Sequence, residues 1–208
     1  MNGDGDAWYA GGGILARMDF RTVGPGHFYA EASVRAGSLH NDYDNGDLRD
    51  ADGLKAAYDS SSAYYGMHLG AGYFRELTDA AGLDLYARYF WTHQEGDNVN
   101  LSTGEHLRFD GINSSRLRFG GRFTYHVNEY VSPYMGVAWE HEFDGRANAV
   151  NTGFAIEAPD LEGDTGIGEL GISLTPSSAL PLFVDLGVQG YVGRREGVTG
   201  RMMLRFTF

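Results

Sequence analysis

The sequence has no cysteine, a single lysine (Lys55) and no long apolar run. Without cysteine, the chain has no disulfides, zinc–thiolate sites or thiol nucleophiles. A formal net charge of -12 and the absence of basic clusters argue against a nucleic-acid partner, because neutralising phosphates needs a concentrated basic surface. No segment approaches the roughly 18 consecutive apolar residues of a transmembrane helix, so a membrane-spanning form of this chain would have to cross with strands.

What the sequence does contain favours an aromatic-rich β protein. It has 31 glycines, 13 tyrosines and 12 phenylalanines, and all basic residues except Lys55 are arginines. At 208 residues the chain fits one all-β domain, so residues 1–208 are expected to form one architectural unit.

Apolar and polar residues alternate with a period of two in nine segments. In residues 8–20 the even positions are apolar or small, from Trp8 through Ile14 to Phe20, and the last odd positions are Arg17 and Asp19. Such alternation predicts a strand with one apolar face and one polar face, and most of the segments have about the length of a tilted strand that spans a bilayer. The nine segments are 8–20, 28–36, 63–73, 83–91, 115–125, 131–143, 166–174, 182–192 and 198–208.

The polar faces carry charges of both signs, which predicts a wet, charge-paired interior. The interpretation is strongest at Arg116, Arg118 and Arg122, three arginines on one face of one strand, and at Glu140 and Glu169. The other predicted interior residues are Arg17, Glu31, Arg35, His68, Asp84, Arg88, Glu142, Asp185, Arg201 and Arg205.

Connector lengths favour a bilayer-spanning barrel. From the C-terminus they fall near 193–197, 175–181, 144–160, 126–129, 92–114, 77–82, 39–62 and 21–26. Long and short connectors alternate, as in outer-membrane barrels, and only the short 193–197 turn departs from the rule. The long loops are predicted outside the cell and the C-terminus in the periplasm. A soluble β-sandwich or soluble barrel with its apolar face inward remains the alternative, although its exterior would be lysine-rich.

Three segments of the last third resemble the autotransporter β-domain: Ser132 to Phe143, Gly168 to Ile172 and Leu186 to Gly200. The resemblance covers essentially the whole chain. It implies an antiparallel transmembrane barrel in the bacterial outer membrane that anchors an N-terminal passenger and assists its export. Phe208, Phe206 and Leu204 are similar to the C-terminal signal that the barrel-assembly machinery binds, so outer-membrane lipid, that machinery and the chain's own passenger are the expected partners.

Translocators of this family have twelve strands, whereas nine or ten are predicted here. Open sheet edges are not tolerated in lipid. Either residues 147–157 or 105–113 supply a further strand, or the chain is the N-terminally truncated portion of a longer barrel, which is the interpretation we favour. Residues 1–6 have neither a positive nor an apolar segment of a signal peptide, which fits a fragment. A self-contained adhesin or structural barrel, with loops 39–62 and 144–160 as its contact surface, is the alternative.

Two motifs and one set of histidines suggest a function at first sight, but none of them indicates a specific site. Gly166 to Gly171 matches a dinucleotide-binding pattern, but the alternation continues through it where a helix would be needed. Asp42 to Asp52 is oxygen-rich but lacks the glutamate of an EF-hand, so at most a weak ion site is expected. His40, His93, His106 and His141 show no triad spacing. We therefore predict no enzyme, no cofactor and no metal centre.

Overall fold

The computed structural model describes residues 3–20, 24–49, 51–151, 154–156, 160–175 and 182–206. Nine antiparallel strands form the main sheet, and each pairs with the one that follows it among these nine. Their bounds are β1 Gly3–Phe20, β2 Gly26–Arg49, β3 Lys55–Thr78, β4 Ala81–Gln94, β7 Ile112–Tyr125, β8 Val131–Glu142, β11 Gly163–Leu174, β12 Leu182–Gly193 and β13 Gly197–Phe206. Four short strands form a second sheet: β5 Asp97–Asn100, β6 His106–Phe109, β9 Ala149–Asn151 and β10 Phe154–Ile156.

The main sheet is an up-and-down meander that curls into part of a barrel. The described part of each predicted segment lies in one of its strands, except Phe143 just beyond β8, so the predicted antiparallel barrel architecture is confirmed. Within the described ranges, β1 and β13 are the two edges of this sheet and do not pair with each other. In the same ranges, no helix is long and apolar enough to cross a membrane.

The predicted loop at 39–62 is wrong. The second strand continues to Arg49 and the third begins at Lys55, with their register unbroken from Gly26 to Asn45. Both strands are 24 residues long, well beyond the 9 to 11 that cross a bilayer. The β2–β3 hairpin therefore projects far past β4, whereas β1 accompanies β2 up to Asn45.

The other two long connectors do not extend the barrel. Residues 105–113 and 147–157 contain the short strands β6, β9 and β10, but these pair in the small sheet, in the order β10-β9-β6-β5. Residues 112–113 are the first two of β7, which is already one of the nine main-sheet strands. The small sheet is attached to the projecting hairpin through Ser102, whose backbone N–H donates to the carbonyl of Ala57 at 3.0 Å. Tyr58 also packs against Phe109, with ring centroids 5.8 Å apart. The hypothesis that these segments supply a tenth barrel strand is therefore wrong.

The two faces of the main sheet differ as the alternation predicts. Ile14, Val137 and Leu170 are 76%, 73% and 64% exposed. On the opposite face, Glu140 is 1% exposed and Asp185 3%. The apolar face is open to the surroundings and the polar face is covered. This arrangement is the reverse of a soluble β-domain, in which apolar residues fill the interior.

Candidate functional site: the charged concave face

The candidate site is the polar face of the main sheet, which lies on the inside of its curl. Alternation directs every second side chain of each strand to this face. Side chains on it bond across one or more intervening strands: Tyr29 of β2 donates to Asp84 of β4 at 2.9 Å, and Arg201 of β13 reaches Tyr134 of β8 at 2.9 Å. Such contacts require a concave surface, because neighbouring strands are about 4.8 Å apart in the sheet.

Glu140 is the centre of the first charge cluster. Arg118 Nη2 lies 2.7 Å from Glu140 Oε2, and Arg195 Nη2 donates to Glu140 Oε1 at 2.5 Å. Arg116 lies between Glu140 and Glu142, at 3.8 and 3.6 Å. Since three arginines surround two carboxylates, the carboxylates are fully compensated and the cluster keeps an excess of one positive charge.

Glu169 is the centre of the second cluster, one strand further along. Arg122 donates to Glu169 at 2.5 Å, and Arg201 lies 3.4 Å from the same oxygen. Arg201 also donates to Asp185 at 2.8 Å, and Tyr134 donates to Asp185 at 3.1 Å. This network joins β7, β8, β11, β12 and β13 through side chains alone, in addition to the backbone ladder.

Glu31 is the centre of a third cluster near the other edge of the sheet. Arg88 donates to Glu31 Oε1 at 2.8 Å, and His68 Nε2 lies 3.4 Å from the same oxygen. Tyr29, which is 2% exposed, donates a hydrogen bond to Asp84 on the same face of the sheet. Ion pairs and charge-assisted hydrogen bonds therefore link this face from the second strand to the last. Among the described residues, the buried atoms Arg116 Nε and His68 Nε2 lie near carboxylates without a hydrogen bond.

Tyrosine rings on this face lie over glycines of neighbouring strands. A Cβ added at Gly171 would overlap the ring of Tyr134, and one added at Gly72 would overlap that of Tyr29. Glycine is needed there because the ring lies directly on the backbone. The contact holds the hydroxyl of Tyr29 beside Asp84 and the hydroxyl of Tyr134 beside Asp185.

All five residues emphasised from the sequence, Arg116, Arg118, Arg122, Glu140 and Glu169, take part in these clusters. Arg17 instead pairs locally with Asp19 at 2.8 Å, and Arg205 lies over the ring of Phe183 at 4.6 Å. Arg35 donates to Thr92 at 3.1 Å.

Sequence reasoning missed Arg195, because it belongs to the short turn between β12 and β13 rather than to an alternating segment. It also left out Tyr29 and Tyr134 as site residues. A tyrosine beside glycines on the polar face was the available signal, but it becomes specific only when the strand register is known.

The predicted assembly signal lies at the edge of the sheet. Leu204 and Phe206 of β13 are 54% and 60% exposed on the apolar face. Phe208 lies outside the described residues.

All three tryptophans mark one boundary of the apolar face, at the end of the sheet that carries the small sheet. Each stacks on a histidine. The centroid distances are 4.1 Å for Trp8 with His40, 6.2 Å for Trp91 with His93 and 5.9 Å for Trp139 with His141. Amphipathic rings of this kind concentrate at the interface between membrane and water. Among the described residues, no group of three or more carboxylates and histidines is placed to hold a metal ion.

These features define an outer-membrane type of barrel, and comparisons with known proteins agree. The model of the autotransporter beta-domain family matches residues 1–187. The beta domain of the Bordetella autotransporter BrkA has the same fold, with a TM-score of 0.61 and 18% identity over 99% of this chain and 75% of that one. The uncharacterized protein YaiT of Escherichia coli K12 is 28% identical over 123 residues, which are 55% of this chain and 12% of that protein.

The chain belongs to the autotransporter beta-domain family, because the family model covers most of its length. This family consists of translocator barrels of the outer membrane. The chain spans about an eighth of the length of the curated relative that it matches.

Proposed function

We propose that this chain is the membrane-embedded part of an autotransporter that anchors an N-terminal passenger and assists its export to the cell surface. The observation that carries the proposal is the paired charge on the concave face, around Glu31, Glu140 and Glu169. A polypeptide that crosses the outer membrane needs a path with water and hydrogen-bonding groups, since hydrocarbon offers neither. A face lined with guanidinium groups and carboxylates supplies both, without covalent chemistry.

On this proposal, Arg116, Arg118 and Arg122 with Glu140 and Glu169 line the path. Their mutual bonds keep the walls polar, and each ion that is already paired has little free energy to gain by trapping a passing segment. The partners are outer-membrane lipid around the apolar face, the passenger on the concave face, and the barrel-assembly machinery at the strand that contains Leu204 and Phe206.

The tryptophans and the small sheet support one orientation in the membrane. The end of the barrel that carries both is proposed to face outward, which places the turns at 79–80 and 126–130 and the C-terminus in the periplasm. Outer-membrane barrels have short periplasmic turns and longer extracellular connections.

Surface display tests the proposed function. The complete protein that contains these 208 residues is expressed with an epitope N-terminal to Met1, and whole cells are probed with antibody and external protease. The proposal expects the epitope to be exposed in a manner that depends on this domain. An epitope that stays inside the cell while the barrel is folded in the outer membrane would contradict it.

The assembly role of the last strand has its own test. Phe206→Asp would place a charge at the apolar end of β13, where Phe206 is 60% exposed. The expected result is a lower yield of folded barrel and more unfolded chain in the periplasm. Thr199→Asp, a change on the polar face of the same strand, is the matched control and should assemble normally.

A second candidate is an adhesin whose extracellular surface binds a ligand. The small sheet favours it, because the connectors between β4 and β7 and between β8 and β11 form a four-stranded surface beside β3 of the projecting hairpin. Deleting residues 97–109 separates the two proposals. Display of the epitope should survive if the domain acts as a translocator, and binding of cells to host surfaces should fall if it acts as an adhesin.

A further inference from the structure

The projecting part of β1, β2 and β3 has a polar cavity on the side of the sheet that carries the apolar face. The cavity has a volume of about 740 Å³, and the short strand β5 lines one side of it. Trp8 and His40 line the end nearest the apolar face. Among the described residues, no arginine or lysine lines it. Because Trp8 marks the boundary of the apolar face, the cavity lies beyond the hydrocarbon.

Trp8 and His40 form a fixed aromatic wall at this end of the cavity. Their rings are stacked, with centroids 4.1 Å apart and planes inclined by 18°. The indole is nevertheless 53% exposed. Since each ring holds the other in place, the wall is available to a ligand without a change of conformation.

The row of residues next to the aromatic wall consists of carboxylates. Asp6 pairs with Asp42, and Asp42 pairs with Asp59, so the three lie side by side on one face of three strands. Within the described ranges, none of the three has a hydrogen bond or an ion pair. Like charges directly opposite each other destabilise a sheet. The described part of the chain therefore keeps these carboxylates at a cost in stability that it does not offset.

The lining also contains hydrogen-bond donors, which a site for a simple cation does not need. Asn98 and Asn100 of β5 line the cavity beside the carboxylates, and an amide side chain both donates and accepts. Asp97 is held in place, because its carboxylate accepts the backbone N–H of Ser61 at 3.2 Å. In the described part of the chain, no three carboxylates or histidines are placed to hold one metal ion. The lining therefore suits a larger ligand that carries hydroxyl groups.

A second cavity adjoins the first and lengthens it. It has a volume of about 620 Å³ and shares Asp42, Asp59 and Asn100 with the first cavity. No arginine or lysine of the described ranges lines this cavity either. Each of the two has the size of a small-molecule site, which is roughly 300–1,000 Å³. A ligand that occupies both is therefore a short chain of rings and not a single one.

We propose that these two cavities bind an oligosaccharide built of neutral or amino-substituted sugars. A sugar ring has a face of C–H groups that packs against an aromatic ring, and a rim of hydroxyl groups that donate and accept hydrogen bonds. The Trp8–His40 stack supplies the first contact, and the carboxylates and amides supply the second. Sugars with carboxylate or phosphate groups are excluded, because their charges would face Asp42 and Asp59 without a cation between them.

This binding activity goes beyond export. It rests on the proposed function only for the orientation in the membrane, which exposes the cavities to sugars outside the cell.

An array of immobilised sugars tests the specificity. The complete protein is purified in mild detergent, labelled and applied to three classes of oligosaccharide: neutral glucose and galactose oligomers, glucosamine oligomers, and acidic galacturonate oligomers. Trilysine on the same surface detects a general preference for cations. The expected result is binding to at least one neutral or amino oligosaccharide and no binding to the acidic class.

Variants then locate the binding site by calorimetry with the oligosaccharide that binds best. Trp8→Ala and Asp59→Asn should each weaken binding about tenfold, because the first removes the aromatic contact and the second a charged acceptor. Trp91→Ala is the matched control and should bind as the unaltered protein does. Trp91 is also stacked on a histidine, with centroids 6.2 Å apart, but it lines neither cavity.

Three results would overturn the proposal: no sugar bound by the unaltered protein, binding to trilysine alone, or equal affinity of the Asp59→Asn variant and the unaltered protein. Folding is checked by heat-modifiable gel mobility. Asp59→Asn should fold normally, because it removes repulsion between like charges, so it remains informative if Trp8→Ala does not fold.

Measurements on intact cells separate this proposal from the proposed function. Loss of sugar binding with normal epitope display concerns the cavities alone, whereas failure of display by the unaltered protein concerns export. Binding by the purified protein but not by intact cells would contradict the orientation and support the sugar site.

Discussion

Replacing Glu140 with glutamine should destabilise the barrel strongly, because Glu140 compensates three arginines. Its carboxylate is 2% exposed and bonds to Arg118 at 2.7 Å and to Arg195 at 2.5 Å, with Arg116 at 3.8 Å. Breaking one partner of a buried ion pair costs about 3–5 kcal/mol, and hydrogen bonds to charged groups contribute about 1.5–3 kcal/mol each. Water at the concave face screens part of this effect, so we expect a loss of about 3 kcal/mol.

The assay is urea unfolding of the complete protein in lipid vesicles, followed by heat-modifiable gel mobility. The control is Glu162→Gln. Glu162 bonds to Arg146 at 3.0 Å, but the side chains are 45% and 60% exposed, so the change should cost less than about 1 kcal/mol.

The losses of unfolding free energy caused by Glu140→Gln and Arg195→Gln should not be additive. Adding Arg195→Gln to Glu140→Gln should cost less than Arg195→Gln alone, because the arginine has already lost its carboxylate. Equal unfolding midpoints for Glu140→Gln and Glu162→Gln, or strictly additive effects in the double variant, would refute the claim that Glu140 organises the cluster.

Two further substitutions, each with a matched control, test the two faces of the sheet. Gly171→Ala should cost about 1–3 kcal/mol because its Cβ would overlap the Tyr134 ring, whereas Gly12→Ala, with open space at its Cβ, should be nearly neutral in the same urea titration. Val137→Arg should cost about 2–4 kcal/mol in lipid vesicles, because it places a charge at the middle of the apolar face, and Ala138→Arg, directed to the concave face, should cost less. Equal costs for the two arginine variants would count against the assignment of the faces.

The nine strands could be predicted because the membrane imposes a strict period of two on the parts that cross it. Outside the bilayer this constraint disappears. The hairpin that continues β2 and β3 is polar on both faces around Asp42 and Asp59, so its alternation gives no signal although its backbone pairing is unbroken. The strands of the small sheet are three or four residues long, too short for a period to be recognised.

The charged face could be predicted as a set, but its partners could not. Alternation identifies Arg118 and Glu140 as facing one side, yet it does not give the register that places them 2.7 Å apart. Arg195 reaches Glu140 from a turn, and Tyr134 reaches Asp185 across a strand that carries Gly171. Contacts between residues 51 and 55 positions apart depend on the curl of the sheet, which no local pattern encodes.

The most direct test uses these 208 residues, which contain no cysteine, so that an engineered thiol is unique among them. Single cysteines are placed in turn at Met135, Gly136, Val137 and Ala138 in β8, and nitroxide labels are attached to the folded protein in lipid vesicles. Labels at 135 and 137 should collide with oxygen, which concentrates in hydrocarbon, and labels at 136 and 138 should collide with a water-soluble nickel complex. The opposite alternation, or none, would contradict the claim that the apolar face of this sheet meets lipid and the charged face encloses water.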